Sequence, residues 1–290
     1  MHSKSINLYY YKYPNIGDIL NEILINQLFH IDIHMGHNTS ADMMAIGSVL
    51  DRLSEDWKAW GEDVELRKNA DRKRPIHIWG TGMIFHYDTP APFIRPIKVH
   101  ALRGDLSRQQ VEKATGRKCK CILADPGLLA PLLLNDILEK KYDVGIIPHY
   151  VDADLPVFQK MRDEYPNSVI IDVKADPMEV LSKIAECRLI ISTSLHGLII
   201  ADSFGIPNLW CESSDKILGA GFKYRDYYSS FGLEIEPFDL RDDKIPQLEK
   251  IKQDYKITTS QVKKKQLELL KCFPFKNKYV IQYYLKMRKM

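Results

Sequence analysis

The sequence predicts an α/β chain of parallel strands and covering helices, organised as two Rossmann-like domains that face a cleft. Three observations predict it. Short β-branched or aromatic runs alternate with helix-length amphipathic segments almost throughout, the pattern of parallel sheets covered by helices. A polar, charged break, NDILEKKYD beginning at Asn135, separates two such series of similar length. At 290 residues and 45% hydrophobic composition, the chain is long enough to give each half its own core. The expected domains are 1–137 and 138–273, followed by a basic helical segment, 274–290, that packs back on the first domain.

In the first half INLYYYK (6–12) reads as a strand and DILNEILINQLF (18–29) as a helix. MMAIGS, PIHIWGTG and IKVHALRG follow as strands, the last running into the helical DLSRQQVEKATG. CKCILADP is a further strand, closing before the apolar GLLAPLLL. In the second half YDVGIIPHY, SVIIDV, RLIIST and PNLWCE are strands, with LPVFQKMRDEY, PMEVLSKIAEC and LHGLIIADSFG as the intervening helices. The last segment is helical on either side of Pro274, which breaks it.

Composition excludes several classes. No uninterrupted apolar run approaches the roughly 20 residues that cross a bilayer. The opening MHSKSINLYYYKYPNIGD lacks an apolar secretion core, so a cytoplasmic protein is expected. The five cysteines, at 119, 121, 187, 211 and 272, form no CxxC pair and read as reduced thiols rather than a zinc site. Net charge is +3, but residues 263–290 carry nine Lys/Arg against Glu268 alone, so this tail is +8 and the remainder −5. An acidic body with a basic tail is no nucleic-acid binder. It suits peripheral contact with an anionic membrane at the inner face of the cell, or a packed helix with a solvated face.

In open α/β sheets ligands bind at the carboxyl ends of strands, so the strand-to-helix corners are the candidate sites. The richest corner is ISTSLHGLIIADSFGIP. Ser192, Thr193 and Ser194 offer capping hydroxyls, Leu195 opens the helix, and Gly205 with Pro207 ends it. His196 then lies in the first turn, where free N–H groups and the helix dipole attract an anion, and Gly197 leaves room for a ligand. The dipole lowers the imidazole pKa and a bound dianion raises it again, so this histidine becomes an acid only with an anionic substrate present. The other reading is a histidine that merely bonds its neighbours.

In VHALRGDLS, Arg103 ends a strand and suits bidentate recognition of a carboxylate or phosphate, or else a surface pair with Asp105. In YPNIGDIL, Asn15 and Gly17 form a turn, and Asp18 either accepts a hydroxyl proton from a sugar or simply caps the helix. The GTG of IWGTGM, with Gly80 and Gly82, lacks the third glycine of a dinucleotide fingerprint and is read as a turn that lets a ligand near the backbone. In LADPG, Asp125 caps and Pro126 takes the first helical position. His149 follows a strand and reaches either the cleft or the surface. Asp152 and Asp154 form a DxD tripeptide, but at the acidic start of a helix, so no metal is expected. Lys216 and Lys223, after the last expected strand, add positive charge beside His196 or are solvated.

With these residues in view, the chain resembles the polysaccharide pyruvyl transferase family. The landmarks are NIGDILNEIL, WGTGM, ALRGDLS, LADPGLL, and above all STSLHGLIIADSFGIP followed by GFKYRDYYSSFG. They run in family order over residues 14–232. The resemblance implies an architecture similar to that of GT-B glycosyltransferases, with the first domain on the acceptor side and the second on the donor side. It implies phosphoenolpyruvate as donor and co-substrate, without another cofactor. The acceptor is a pair of sugar hydroxyls on a surface polysaccharide or its lipid-linked precursor. His196, with Leu195 beside it, matches the family's LH histidine, and Arg103 matches the strand-end arginine that holds the donor's anionic groups. Many members carry arginine two positions before the histidine, where this chain has Ser194, so Arg103, Lys216 or Lys223 must compensate.

Elementary chemistry agrees with that implication. Ketal formation needs a proton on the methylene carbon of an enol phosphate, a base for the hydroxyl, and fixed positive charge for carboxylate and phosphate. His196 as acid, Arg103 as clamp, the helix N-terminus as phosphate cradle and Asp18 as base meet these needs. The competing readings are a nucleotide-sugar glycosyltransferase of similar architecture, which would release a nucleotide, and a non-catalytic glycan-binding relative, in which His196 would be dispensable. A dinucleotide oxidoreductase is disfavoured by the missing fingerprint.

Overall fold

A computed structural model describes residues 5–58, 62–136, 138–242 and 244–289. The first half runs β1 (Ser5–Tyr9), α1 (Ile16–Ile23), β2 (Asp32–Met35), β3 (Met43–Met44), α2 (Glu62–Lys68), β4 (Ile76–Trp79), β5 (Ile97–Leu102), α3 (Asp105–Thr115), β6 (Ile122–Leu123) and a 3₁₀ run (Pro126–Leu133). The second half runs β7 (Val144–Ile147), α4 (Pro156–Glu164), β8 (Ser168–Ile170), α5 (Pro177–Ala185), β9 (Ile190–Ser192), α6 (Leu195–Ser203), β10 (Asn208–Glu212), α7 (Phe222–Ser229), β11 (Phe238–Asp239) and α8 (Leu248–Asp254). α9 (Thr259–Cys272) and α10 (Lys278–Lys289) close the chain.

All strand pairings within the two sheets are parallel, in the orders β2-β1-β3-β4-β5-β6 and β11-β10-β9-β7-β8. This is the expected α/β architecture of two Rossmann-like halves. Strand order reverses direction between β1 and β3 in the first sheet and between β7 and β9 in the second. Those reversals matter below, because crevices open where successive crossovers leave a sheet on opposite faces.

The apolar faces do not form two separate cores. Leu20 and Leu24 from α1 and its extension, Leu128 and Leu129 from the 3₁₀ run, Leu181 and Ile184 from α5 and Leu198 and Ile199 from α6 belong to one continuous buried cluster. α6 is apolar on every face because it lies inside this layer. The halves are therefore joined by packing as well as by the chain.

Three expectations need adjustment. The chain crosses back onto the first half already at α9, not at Pro274: the Trp79 indole N–H donates to Leu269 O at 3.1 Å, and Phe273 packs on Phe29 with centroids 4.5 Å apart. α10 continues the contact, with Asn277 Nδ2 donating to Phe29 O at 2.6 Å. PNLWCE is not the last strand, since β11 pairs beyond it. Cys119 and Cys121 precede the two residues of β6 instead of lying within a strand. The end of the expected first domain, Ile137, lies outside the described residues.

Candidate active site

Four corners meet at one cavity of about 230 Å³. They follow β1, β3, β7 and β9, the strands that flank the two reversals of strand order. After β1 come Asn15 and Asp18, and after β3 come Gly47, Ser48 and Arg52. β7 leads to His149 and Tyr150, and β9 to Ser194, Leu195 and His196. Lys223, in the first turn of α7, Leu218, and Tyr11, Val49 and Ile84, the last from the corner after β4, complete the wall. A larger cavity of about 510 Å³, between β10, β11 and α8, contains none of the predicted site residues. The convergence of strand ends, not size, identifies the smaller one as the site.

His196 sits at the boundary between the halves. Its side chain is 12% exposed, and its ring rests on Gly17 of α1, where a Cβ would come within 2.2 Å of Nδ1. That contact requires glycine. Ser194 is the N-cap of α6 but makes no side-chain capping bond, and with Leu195 and His196 it lines the cavity. Burial, followed by the nearby Arg103 and Lys223 charges, pushes the imidazole down to about 3. At neutral pH it is uncharged.

Burial likewise lowers the Lys223 ammonium to about 8, with Arg103 adding to the effect and Asp18 opposing it. Asp18 is raised by burial to about 7, against a hydrogen bond from Asn15 Nδ2 and the Lys223 charge. Asn15 also caps α1, accepting from Gly17 N at 2.9 Å. His149 is held by its backbone N–H, which donates to Thr193 Oγ1 at 2.7 Å, and by stacking on Tyr150. Burial and Lys223 push its imidazole to about 3, opposed by Asp152. The cavity thus combines two neutral imidazoles, a lysine and a carboxylate poised near neutrality, and the Arg52 guanidinium. Such clustered shifts are common at catalytic sites.

Arg103 occupies a different place from the one expected. It is 0% exposed and does not line the cavity. Its Nε donates to Asp226 Oδ2 at 2.9 Å, Nη2 lies in ion-pair contact with the same oxygen at 2.9 Å and donates to Met83 O, and Nη1 donates to Ser48 Oγ, the last two at 2.5 Å. The physical reason is topological. β5 lies two strands beyond the reversal, so its end faces α7 and not the cleft. Asp105 pairs with Arg108 instead. Arg103 therefore acts on the cavity through its charge and through Ser48.

The predicted glycines serve packing. Gly80, at φ +101°, abuts Pro126, and Gly82 makes room for the Arg103–Asp226 pair. The space beside Gly197 is filled by Ser192 Oγ and Ile147, not left for a ligand. Ser192 itself is buried, bonding Ile147 O and Ser194 O. Lys216 is exposed and outside the cavity. Asp152 of the DxD tripeptide accepts from the Ser213 and Ser214 hydroxyls, while Asp154 faces solvent. Sequence reasoning missed Ser48, Arg52, Tyr150 and Asp226. The strand-end rule applied to MMAIGS would have found Ser48. Asp226 had no local signal.

Fold and site together define a two-halved α/β protein with a polar crevice at paired strand reversals. Residues 2–215 match the family described as polysaccharide pyruvyl transferase, and the chain belongs to that family. It is similar to the uncharacterized protein L143 of Acanthamoeba polyphaga mimivirus, 32% identical over 167 residues, 56% of each chain. It is also similar to the succinoglycan biosynthesis protein ExoV of Rhizobium meliloti, 30% identical over 118 residues, 33% of this chain and 37% of that one. The matched segments thus span about half or less of these relatives' lengths.

Proposed function

We propose that the protein is a pyruvyltransferase that moves the enolpyruvyl group of phosphoenolpyruvate onto two hydroxyls of a sugar, forming a pyruvate ketal in surface polysaccharide biosynthesis. The observation that carries this reading is the convergence of a buried neutral His196 with Lys223, Arg52 and Asp18 in one small cavity. Its volume, about 230 Å³, is below the range of roughly 300–1,000 Å³ usual for larger ligands. That favours a three-carbon donor over a sugar nucleotide.

Lys223, Arg52 and the first turn of α6 hold the donor's carboxylate and phosphate, and Arg103 supplies positive potential from behind. The bound anion raises the His196 pKa, and the imidazolium delivers its proton to the methylene carbon. The adjacent carbon becomes oxocarbenium-like and is attacked by one sugar hydroxyl, whose proton passes to Asp18. The second hydroxyl then displaces phosphate, and its proton leaves with it. This sequence balances without a redox cofactor or a metal.

The acceptor in this reading is a lipid-linked glycan at the inner face of the cell membrane, and the protein works from the cytoplasm. No described helix is long and apolar enough to cross a membrane. α10 does expose Ile281 and Leu285, one turn apart at 51% and 49%, on a helix that also exposes Lys278, Lys286 and Arg288. Such a face suits an anionic lipid surface.

The test incubates the protein with phosphoenolpyruvate and lipid-linked glycans bearing galactose, mannose or N-acetylmannosamine, following phosphate release and the ketal methyl resonance by NMR. Both signals should appear together, and His196→Gln should lower the rate by about 10²–10⁴-fold. Turnover only with a sugar-nucleotide donor would overturn the reading.

A further inference from the structure

Behind the cavity two buried polar atoms face each other without partners. Asp125 Oδ2 and His196 Nε2 lie 3.9 Å apart, and neither makes a hydrogen bond. Asp125 is fully buried, and its other oxygen accepts from Gly127 N at 2.8 Å to cap the 3₁₀ run. Capping accounts for that oxygen alone. A serine or asparagine would cap as well, without leaving a buried carboxylate oxygen unsatisfied.

The ring's two nitrogens have different surroundings. Nε2 faces Asp125, and the adjacent Cδ2 approaches the backbone at Gly127. Nδ1 lies on the Gly17 side of a ring that lines the cavity. We propose that Asp125 is a positioning residue for His196: it accepts a hydrogen bond from Nε2–H, fixes the tautomer that turns Nδ1 toward the substrate, and balances the imidazolium formed during turnover. The proposal rests on the pyruvyltransferase reading for its chemistry, not for its geometry. The present gap is about 1 Å beyond hydrogen-bond length, so the proposed bond requires the two side chains to approach by that much.

In the cycle, imidazolium gives its Nδ1 proton to the methylene carbon and keeps Nε2–H. The proton released by the first acceptor hydroxyl restores the balance, and Asp125 ends as it began. The charged groups acting on the pair are Arg103, which follows β5, and Lys223 and Asp226 from α7, while Asp18 from α1 and His149 after β7 share the cavity with His196. Arg103 and Lys223 oppose the imidazolium, which makes a counter-charge on the Nε2 side valuable. Burial holds the Asp125 carboxyl up at about 7, against the Gly127 bond and Arg103 and with Asp226 adding to the rise. The same functional logic, a carboxylate orienting a proton-transferring imidazole, is well established for other enzymes.

The decisive variant is Asp125→Asn, whose side-chain oxygen can keep the Gly127 bond while its amide faces Nε2. It should lower kcat by about 100-fold or more and move the pH limb assigned to the histidine, with KM for phosphoenolpyruvate changed less than about threefold. Independently of activity, ¹⁵N NMR of His196, assigned by loss of its signals in His196→Gln, should show Nε2–H in the unmodified protein and Nδ1–H in Asp125→Asn. An Nδ1–H tautomer in the unmodified protein overturns the proposal, even if Asp125→Asn does not fold. So does Asp125→Asn activity within about threefold of normal with an unchanged pH profile, while His196→Gln is inactive. A correct tautomer switch in a protein that does not consume phosphoenolpyruvate would sink the pyruvyltransferase reading and leave the pairing intact.

Discussion

The ammonium of Lys223 titrates at about 8, lowered by burial and by Arg103 against the pull of Asp18. If only the charged form binds the donor, KM for phosphoenolpyruvate should rise about fivefold between pH 8 and pH 9. Lys223→Met should bind weakly and show no such rise. The stability effect has the opposite sign. A lysine whose pKa falls from 10.5 to about 8 on folding destabilises the fold fully below pH 8, and the penalty fades as pH rises from 8 to 10.5. Lys223→Met should therefore melt at least about 2–4 °C higher at pH 7, a gain in stability made at the expense of function. An unchanged or lower melting temperature would mean that the ammonium has a partner which offsets its burial. At this scale His196 and Asp18 were legible because helix starts after strands have a sequence signature. Arg103 was legible as a strand-end arginine but not in its placement. Its partner, Asp226, lies 123 residues away, and no local pattern encodes such a pairing.

Between elements, α7 is tied to the end of β5 and the start of α3 by buried polar bonds. Asp226 accepts from Arg103, from Ser107 N at 2.7 Å and from Ser107 Oγ at 2.6 Å, all in a buried setting. A Cβ at Gly104 would come within 1.6 Å of Asp226 O, so backbone meets backbone there. Asp226→Asn leaves the Arg103 charge without its counter-ion and should cost about 3–5 kcal/mol, read as a lower urea midpoint. A loss below about 1 kcal/mol would show that the guanidinium is balanced by other groups. α7 was not read as a helix because FKYRDYYS buries aromatic and acidic residues together and has no apolar stripe. β2, with its polar and mostly exposed DIHM, lacks the apolar content of a core strand. The longer strands and helices were legible either from an amphipathic period, as in α1 and α5, or from a short apolar run bounded by turn residues, as in β7 and β9.

At the scale of the molecule, the C-terminal helices divide into a structural part and an accessory part. α9 buries Leu269, Leu270 and Phe273, and Lys265 Nζ donates to Leu123 O in the first half and to Ser230 O in the second, at 2.6 and 2.7 Å. α10 buries less and exposes Ile281 and Leu285. Removing residues 276–290 should leave a cooperative unfolding transition at a lower midpoint but abolish co-sedimentation with anionic vesicles. Removing 259–290 should abolish the transition itself. Equal vesicle binding with and without α10 would place the lipid contact elsewhere.

The apolar layer shared by α1, α5, α6 and α9 has a consequence for traffic through the crevice. Two lobes hinged by a linker can swing apart like jaws to admit a guest. Here such a swing would tear open a contiguous greasy seam and pull the imidazole off its glycine seat. Any opening of that kind would expose the seam to water, so widening the crevice costs buried apolar contact.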